Sequence, residues 1–488
     1  NVTLLSPIFS NMSRRKFADI MVVIHVILMF LPSNMGYKAA VVEYAPVGIY
    51  GPNTAVEIIR LNLDQYEEIV NLISDQGMDV IVFPEYGITT LQVPSNRTRA
   101  KEFLQRIPNI DLNHVPCDSL PQETIDEVVY RLSCLAKRAA SYLVANFGEI
   151  QSCTAQERGC PYDGSFHYNV NVVFNRDGKL IAKYRKTNLF GELAMDKPNE
   201  ADYTVFTTDF GVSFGVAICF DMIYRTPLIE LYEKFNITNF IISTAWVDEL
   251  PFLTAPQIQS GLAQGLNATF LVSGYHQPSG GQLGSGIFQG MKDHQYTFSI
   301  TSKTRIIIDE ISEVILSRDK TSTKNMSFLQ GEHYILSENL LYYNHTDIDQ
   351  TSNITNICHN STCCSVIYTL NPTKKTHYKL VAYNGVRYVG GGQYAIYIET
   401  CGVLACKDEL ISSCGQRDAD TTTFESLELR GNFQLKYPLP SVIDGNLQLF
   451  EPNSYGFSNF DSFFTLKSNH ALDELLTFSL YGFSYDLY

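Results

Sequence analysis

The sequence is short of positive charge. Its 36 Lys and Arg face 51 Asp and Glu, a formal net charge of -15 at pH 7. No basic patch stands out, which argues against nucleic acid and anionic membrane surfaces as partners. It also shows no apolar run of membrane-spanning length. The run near the N-terminus, residues 20–31, is about 12 residues where a span needs about 20. Paired Cys-x-x-Cys spacing is missing, so no metal centre is expected. No tandem repeat or low-complexity tract stands out. What remains is ordinary for a globular protein: 488 residues, 45% hydrophobic and 18% charged. That supports a sizeable core and two to four domains.

Targeting signals come next. Arg14, Arg15 and Lys16 precede the apolar run, and Pro32-Ser33-Asn34-Met35-Gly36 follows it. A basic region, a short apolar region and a small residue near the cut predict a secretory signal over residues 1–36. The last residues, 481–488, lack the long apolar tail of a lipid-anchor signal. The expectation is a secreted, extracellular protein without a membrane anchor. Asn96, Asn236, Asn267, Asn325, Asn344, Asn353 and Asn360 each open an Asn-x-Ser/Thr glycosylation triplet. Eleven cysteines, paired in an oxidising compartment, leave one over. Cys117 and Cys134 flank one stretch, Cys153 and Cys160 bracket a polar loop, and six more gather between Cys358 and Cys414. Cys219 is the isolated one.

Read in order, residues 38–42 predict a strand and residues 54–76 a helix, with Ile59, Leu63, Tyr66, Val70 and Ile73 at helical spacing. Residues 78–83 form an apolar strand that stops at Pro84 and Glu85. A second helix carries Ile125, Val129, Leu132, Ala136 and Ala139, and residues 141–147 make another strand. Two strands flank the turn Asn175-Arg176-Asp177-Gly178, and the second ends in Tyr184-Arg185-Lys186. Residues 214–218 are an apolar run ending abruptly at Cys219, the pattern of a strand-to-helix elbow. Thr226-Pro227 opens a helix through Phe235, residues 240–243 form a strand before Thr244-Ala245-Trp246, and residues 256–266 form a helix before the strand 269–273. The alternation predicts an α/β layered domain over residues 37–315. Beyond it, helical periodicity fades and sequons and cysteines gather, which predicts a mostly β, disulfide-containing domain over residues 316–488.

Glu85, Lys186 and Cys219 each end a strand, and strand ends of an open sheet gather on the edge where α/β proteins hold ligands. A carboxylate, an ammonium and a thiol make a workable set for splitting amides. Glu85 takes the thiol proton and later activates water. Lys186 favours the thiolate and stabilises the oxyanion. Cys219 carries the acyl group as a thioester.

Phe83-Pro84-Glu85, the run from Tyr184 through Lys186 to Phe190, and Cys219-Phe220-Asp221 resemble the three signatures of the nitrilase superfamily. Residues 131–137, Thr244-Ala245-Trp246, Gly284-Ser285-Gly286-Ile287 and Cys358 to Cys364 are similar to its vanin (pantetheinase) and biotinidase branch. The resemblance implies a four-layer αββα sandwich with a smaller β domain. It implies Glu85 as base, Lys186 as oxyanion stabiliser and Cys219 as nucleophile, acting on a small-molecule secondary amide without metal or organic cofactor. Phe220, Glu192 and Trp246 are the further candidates for oxyanion or substrate binding, and Glu192 is a candidate for positioning Lys186. The chain departs from the branch at Tyr86, where an aspartate is usual, at Val247-Asp248, where Met-Asn is usual, and at Gly191-Glu192, which lacks an extra residue. These departures bear on substrate choice. Pantetheine is the expected substrate; a biotinyl amide, or ligand binding on an inactive fold, are the alternatives.

Overall fold

A computed structural model describes residues 36–108, 110, 115–119, 127–300, 303–312, 333–348, 353–371, 376–390, 392–416 and 422–484. Residues 1–35 of the signal expected over 1–36, Asn325 and the expected domain junction at 315–316 lie outside the described residues.

Among the described residues thirteen strands precede residue 312: β1 Tyr37–Glu43, β2 Val80–Val82, β3 Tyr142–Ser152, β4 Ser165–Phe174, β5 Leu180–Arg185, β6 Val205–Thr207, β7 Ser213–Ile218, β8 Asn239–Thr244, β9 Glu249–Leu250, β10 Thr269–Gly274, β11 Ser285–Gln289, β12 Asp293–Thr297 and β13 Arg305–Ile311. Twelve of them build two six-stranded sheets, ordered β13-β1-β2-β3-β4-β5 and β12-β11-β10-β8-β7-β6. In each sheet three central strands run parallel: β1, β2 and β3 in the first, β7, β8 and β10 in the second.

The period of two along a strand decides which layer each side chain enters. In β1, Ala39 and Val41 join the core between the sheets, while Ala40 and Val42 face the helices α1 Ala55–Ile73 and α2 Glu127–Ala139. Helix α1 forms where the sequence predicts it. Thr54 accepts from the Glu57 N–H, and Glu57 returns a bond to the Thr54 N–H at 2.8 Å, a closed capping box. Gly77, at φ +66°, turns the chain out of the last turn. The second sheet is covered by α3 Glu230–Phe235 and α4 Ala255–Leu266, completing αββα. One helix starts later than the sequence suggests. Thr226 is extended (φ −98°, ψ 123°), and regular helix begins only at Glu230. The residue before a proline is held away from helical backbone, so Thr226-Pro227 cannot open the helix directly.

The C-terminal region is mostly β, in two five-stranded sheets. Its strands are β14 Leu336–Ser337, β15 Asn344–Ile348, β16 Ile354–His359, β17 Thr362–Leu370, β18 His377–Val389, β19 Tyr394–Cys406, β20 Phe424–Asn432, β21 Leu439–Asp444, β22 Tyr455–Phe460, β23 Phe463–Ser468 and β24 Leu475–Phe483. The sheets run β15-β18-β19-β24-β21 and β16-β17-β20-β23-β22, and β14 instead pairs with β9. Strand β21 lies against α4 so closely that a Cβ on Gly261 would meet the Pro440 carbonyl oxygen at 2.7 Å. This explains why α4 is buried on every face despite three glutamines. Gln257 donates to Ser441 Oγ at 2.7 Å, Gln264 to Tyr455 Oη at 2.9 Å, and Gln259 to the Gly284 carbonyl at 3.2 Å.

Five disulfides form, four of them between near neighbours, Cys117–Cys134, Cys153–Cys160, Cys358–Cys363 and Cys406–Cys414, and one, Cys364–Cys401, across 37 residues. Cys219 is left free and buried. The six described sequon asparagines, Asn96, Asn236, Asn267, Asn344, Asn353 and Asn360, are all exposed. Among the described residues no helix is long and apolar enough to cross a membrane.

Candidate active site

Three strands end at one place. Strand β2 leads through Phe83 and Pro84 to Glu85, β5 stops one residue before Lys186, and β7 stops one residue before Cys219. All three side chains are buried, at 1%, 2% and 5% exposure. Alternation in β5 selects Lys186 from its basic run. Lys183 and Arg185 turn outward to Glu149, at 2.5 and 2.8 Å, while Tyr184 and Lys186 turn in. Glu85 and Lys186 belong to the first sheet and Cys219 to the second. The Ser243 hydroxyl donates to the Phe83 carbonyl, and the Ala245 N–H to Glu85 Oε2, both at 2.8 Å, tying the two sheets together here.

Lys186 Nζ sits between two carboxylates, 2.7 Å from Glu85 Oε1 and 2.8 Å from Glu192 Oε2. Asn169 Nδ2 donates to the same pair, at 2.8 Å to Glu85 and 2.5 Å to Glu192. Asn146 in turn donates to Asn169 Oδ1 at 2.7 Å and accepts from the Tyr86 N–H at 2.8 Å. Glu192 also takes the Phe190 N–H at 2.8 Å and the Tyr86 hydroxyl at 2.7 Å. The electrostatics follow from this packing. Burial pushes the Glu85 carboxyl up, and the Lys186 charge opposes it. Burial also raises Glu192, but Lys186 and the donated hydrogen bonds outweigh it and hold the group below the usual carboxylate range. Burial works against the Lys186 ammonium, yet Glu192 and Glu85 overcome it, so its pKa lies well above the ordinary value. Two carboxylates around one ammonium thus divide into a strongly held partner, Glu192, and a more basic neighbour, Glu85.

Cys219 occupies the left-handed region at φ +47°, where a side chain costs of order 1–3 kcal/mol. Asp221 holds that elbow. Its carboxylate accepts from the Ile218 N–H at 2.9 Å, the Tyr184 hydroxyl at 2.8 Å, and the Asn188 N–H and Nδ2 at 3.0 and 2.8 Å. Burial pushes the Cys219 thiol up, Glu85 adds to this and Lys186 opposes it, so the resting group is a thiol with a base at hand.

The site opens into a cleft whose wall includes Phe190, Phe220, Trp246, Leu253 and Val389. The Trp246 Nε1–H donates to the Leu253 carbonyl at 2.9 Å, which leaves its ring as an apolar wall. Of the six residues singled out by sequence, Glu85, Lys186 and Glu192 form one network, and Cys219, Phe220 and Trp246 line the cleft. Sequence reasoning missed Asn169, the bracing role of Asp221, and the contribution of the C-terminal region. Leu336, Val389 and Gly390 reach the cleft from there, and Tyr394 stacks on Phe190 with centroids 5.2 Å apart.

Residues 38–248 match the model of the carbon-nitrogen hydrolase family, and residues 333–488 match the vanin C-terminal domain. Biotinidase from Mus musculus is 30% identical over 491 residues, covering 92% of this chain and 93% of that protein. Pantetheinase from Homo sapiens is 30% identical over 480 residues, covering 94% and 92%. Among solved structures, an amidase from Nesterenkonia sp. covers 58% of this chain and 91% of its own, at 15% identity and a TM-score of 0.41. With both family regions in order and 30% identity along nearly its whole length, the chain belongs to the vanin and biotinidase branch of the nitrilase superfamily and is a hydrolase acting on amide C–N bonds.

Proposed function

We propose that this protein is a secreted amidase that cleaves pantetheine to pantothenate and cysteamine through a thioester on Cys219. The observation that carries the reading is the Glu85–Lys186–Glu192 network beside the Cys219 elbow. Glu85 takes the thiol proton as sulfur attacks the amide carbon. Lys186, kept charged by its two carboxylates, faces the developing oxyanion together with the Phe220 N–H. Glu85 then returns the proton to the departing nitrogen as the C–N bond breaks. Water attacks the thioester with Glu85 again as base, which releases the acid and restores the thiol. In this reading residues 1–36 are a removed signal, 37–315 the catalytic domain and 316–488 a β base domain. Five disulfides and exposed sequons support secretion.

A biotinidase-like hydrolase is the second reading, favoured by the match to mouse biotinidase along 93% of that protein. Side-by-side hydrolysis of pantetheine and biocytin, with intact mass after brief mixing, separates the two. A pantothenoyl adduct on Cys219 is expected. A biotinyl adduct alone would transfer the assignment, and binding without turnover of any amide would make the fold a binding protein.

A further inference from the structure

Glu249 is the one carboxylate on the cleft wall among the described residues. Its surroundings there are apolar: Trp246, Val247, Leu253, Leu336 and Val389. Its backbone is fixed on both sides. The Leu253 N–H donates to the Glu249 carbonyl at 2.8 Å, and Glu249 pairs with Leu336 across the β9–β14 ladder. Its carboxylate meets Arg387 of β18 at 2.7 Å. Arg387 also pairs with Glu338 and donates to the Tyr481 hydroxyl at 2.5 Å. All three side chains are nine-tenths or more buried, and of the three only Glu249 lines the cleft.

A buried ion pair is weak support for stability, since apolar side chains of similar size often do as well. A polar group in an otherwise apolar ligand cleft fixes the orientation of what binds. We propose that Glu249, held by Arg387, is a specificity-determining residue whose carboxylate accepts a hydrogen bond from a hydroxyl on the substrate's acyl group. A carboxylate only accepts, so its ligand must be a donor. A substrate cation would meet the Arg387 charge behind the carboxylate, so a neutral donor fits the site. This inference rests on the amidase reading above and adds to it the group that the cleft selects. A substrate without the hydroxyl leaves a desolvated carboxylate facing carbon, and that mismatch is penalised more than the hydrogen bond itself is worth.

The test is calorimetric binding to the full-length Cys219→Ala protein, using pantetheine and its analogue lacking both acyl hydroxyls. Pantetheine is expected to bind about 10–100-fold more tightly, the range of a hydrogen bond to a charged group. In the Glu249→Leu background the two ligands converge to within about two-fold. Glu249→Gln keeps the shape and one acceptor oxygen; it retains part of the preference and serves if the leucine variant does not fold. Equal affinities in Cys219→Ala, binding of neither ligand, or a preference that survives Glu249→Leu would overturn the assignment. Turnover by the Cys219 protein is read separately. Hydrolysis of pantetheine without a hydroxyl preference overturns this inference alone, and a hydroxyl preference without hydrolysis overturns the amidase reading alone.

Discussion

The Tyr394 hydroxyl accepts a hydrogen bond from the Gly191 N–H at 2.6 Å, so a side chain of the C-terminal β region holds the loop that carries Glu192. Its ring lies against Phe190 and, edge-on, against Phe220 at 4.9 Å. Tyr394→Phe keeps both ring contacts and removes only the hydroxyl. The expected loss in kcat/KM is about 2–10-fold, the size of one net hydrogen bond, with the melting temperature nearly unchanged. An equal loss of stability and activity would mean that the hydroxyl supports the fold and not the loop.

Cys219→Ala should abolish acyl transfer and turnover together. Glu85→Gln should cost roughly 10²–10⁴-fold, and Lys186→Met as much or more. These losses should not add, because the groups act as a unit. Lys183→Met is the control. Its ammonium pairs with Glu149, which Arg185 also holds at 2.8 Å, so activity should stay within a few-fold of wild type. Steady-state kinetics with circular dichroism decides. A Lys183 variant as damaged as the Lys186 variant would sink the assignment of roles.

Burial pushes the Glu338 carboxyl up to about 7 from an ordinary 4.5, against the pull of Arg387. The folded chain therefore keeps a proton that the unfolded chain releases between those values. That contribution to stability is full below pH 4.5 and is lost as the pH rises through about 7, an effect of at most about 3 kcal/mol. Glu338→Gln removes the titration. Its melting temperature should fall less steeply than wild type between pH 5 and 7, and parallel curves would contradict the shift.

One free thiol per chain should appear after denaturation without reductant, and mapping should put the label on Cys219. In the native protein, burial and the raised thiol pKa should slow ordinary alkylation. Label on any of the ten paired cysteines would contradict the disulfide set.

The ends before Glu85 and Cys219 were legible because each is an apolar run stopping at a polar residue, whereas Lys186 stands in a basic run after an alternating strand and was picked out by its motif. The network between them was not. Asn146 and Asn169 lie inside runs read simply as strands, although an amide buried in such a run must find partners, and that was the available signal. Tyr86, a departure from the branch's usual aspartate, donates to Glu192, a contact that no spacing in the sequence announces. Tyr394 lies 203 residues from Gly191, and Arg387 comes from a different sheet than Glu249, so no local spacing could join them. Helix α4 was readable as a helix, but the burial of its outer face depends on β21, which the sequence does not announce.

Glu85 and Lys186 ride on one sheet and Cys219 on the other, so the sandwich works as a caliper. The placement of base against nucleophile follows the spacing of the two sheets, set by side chains between them such as Val41, Val82 and Val216. A methylene added or removed there must be absorbed by shifting whole strands, and misplacement by about 1 Å can cost a hundred-fold in rate. Conservative changes deep in this layer should therefore act as kinetic lesions although no residue of the site has been replaced.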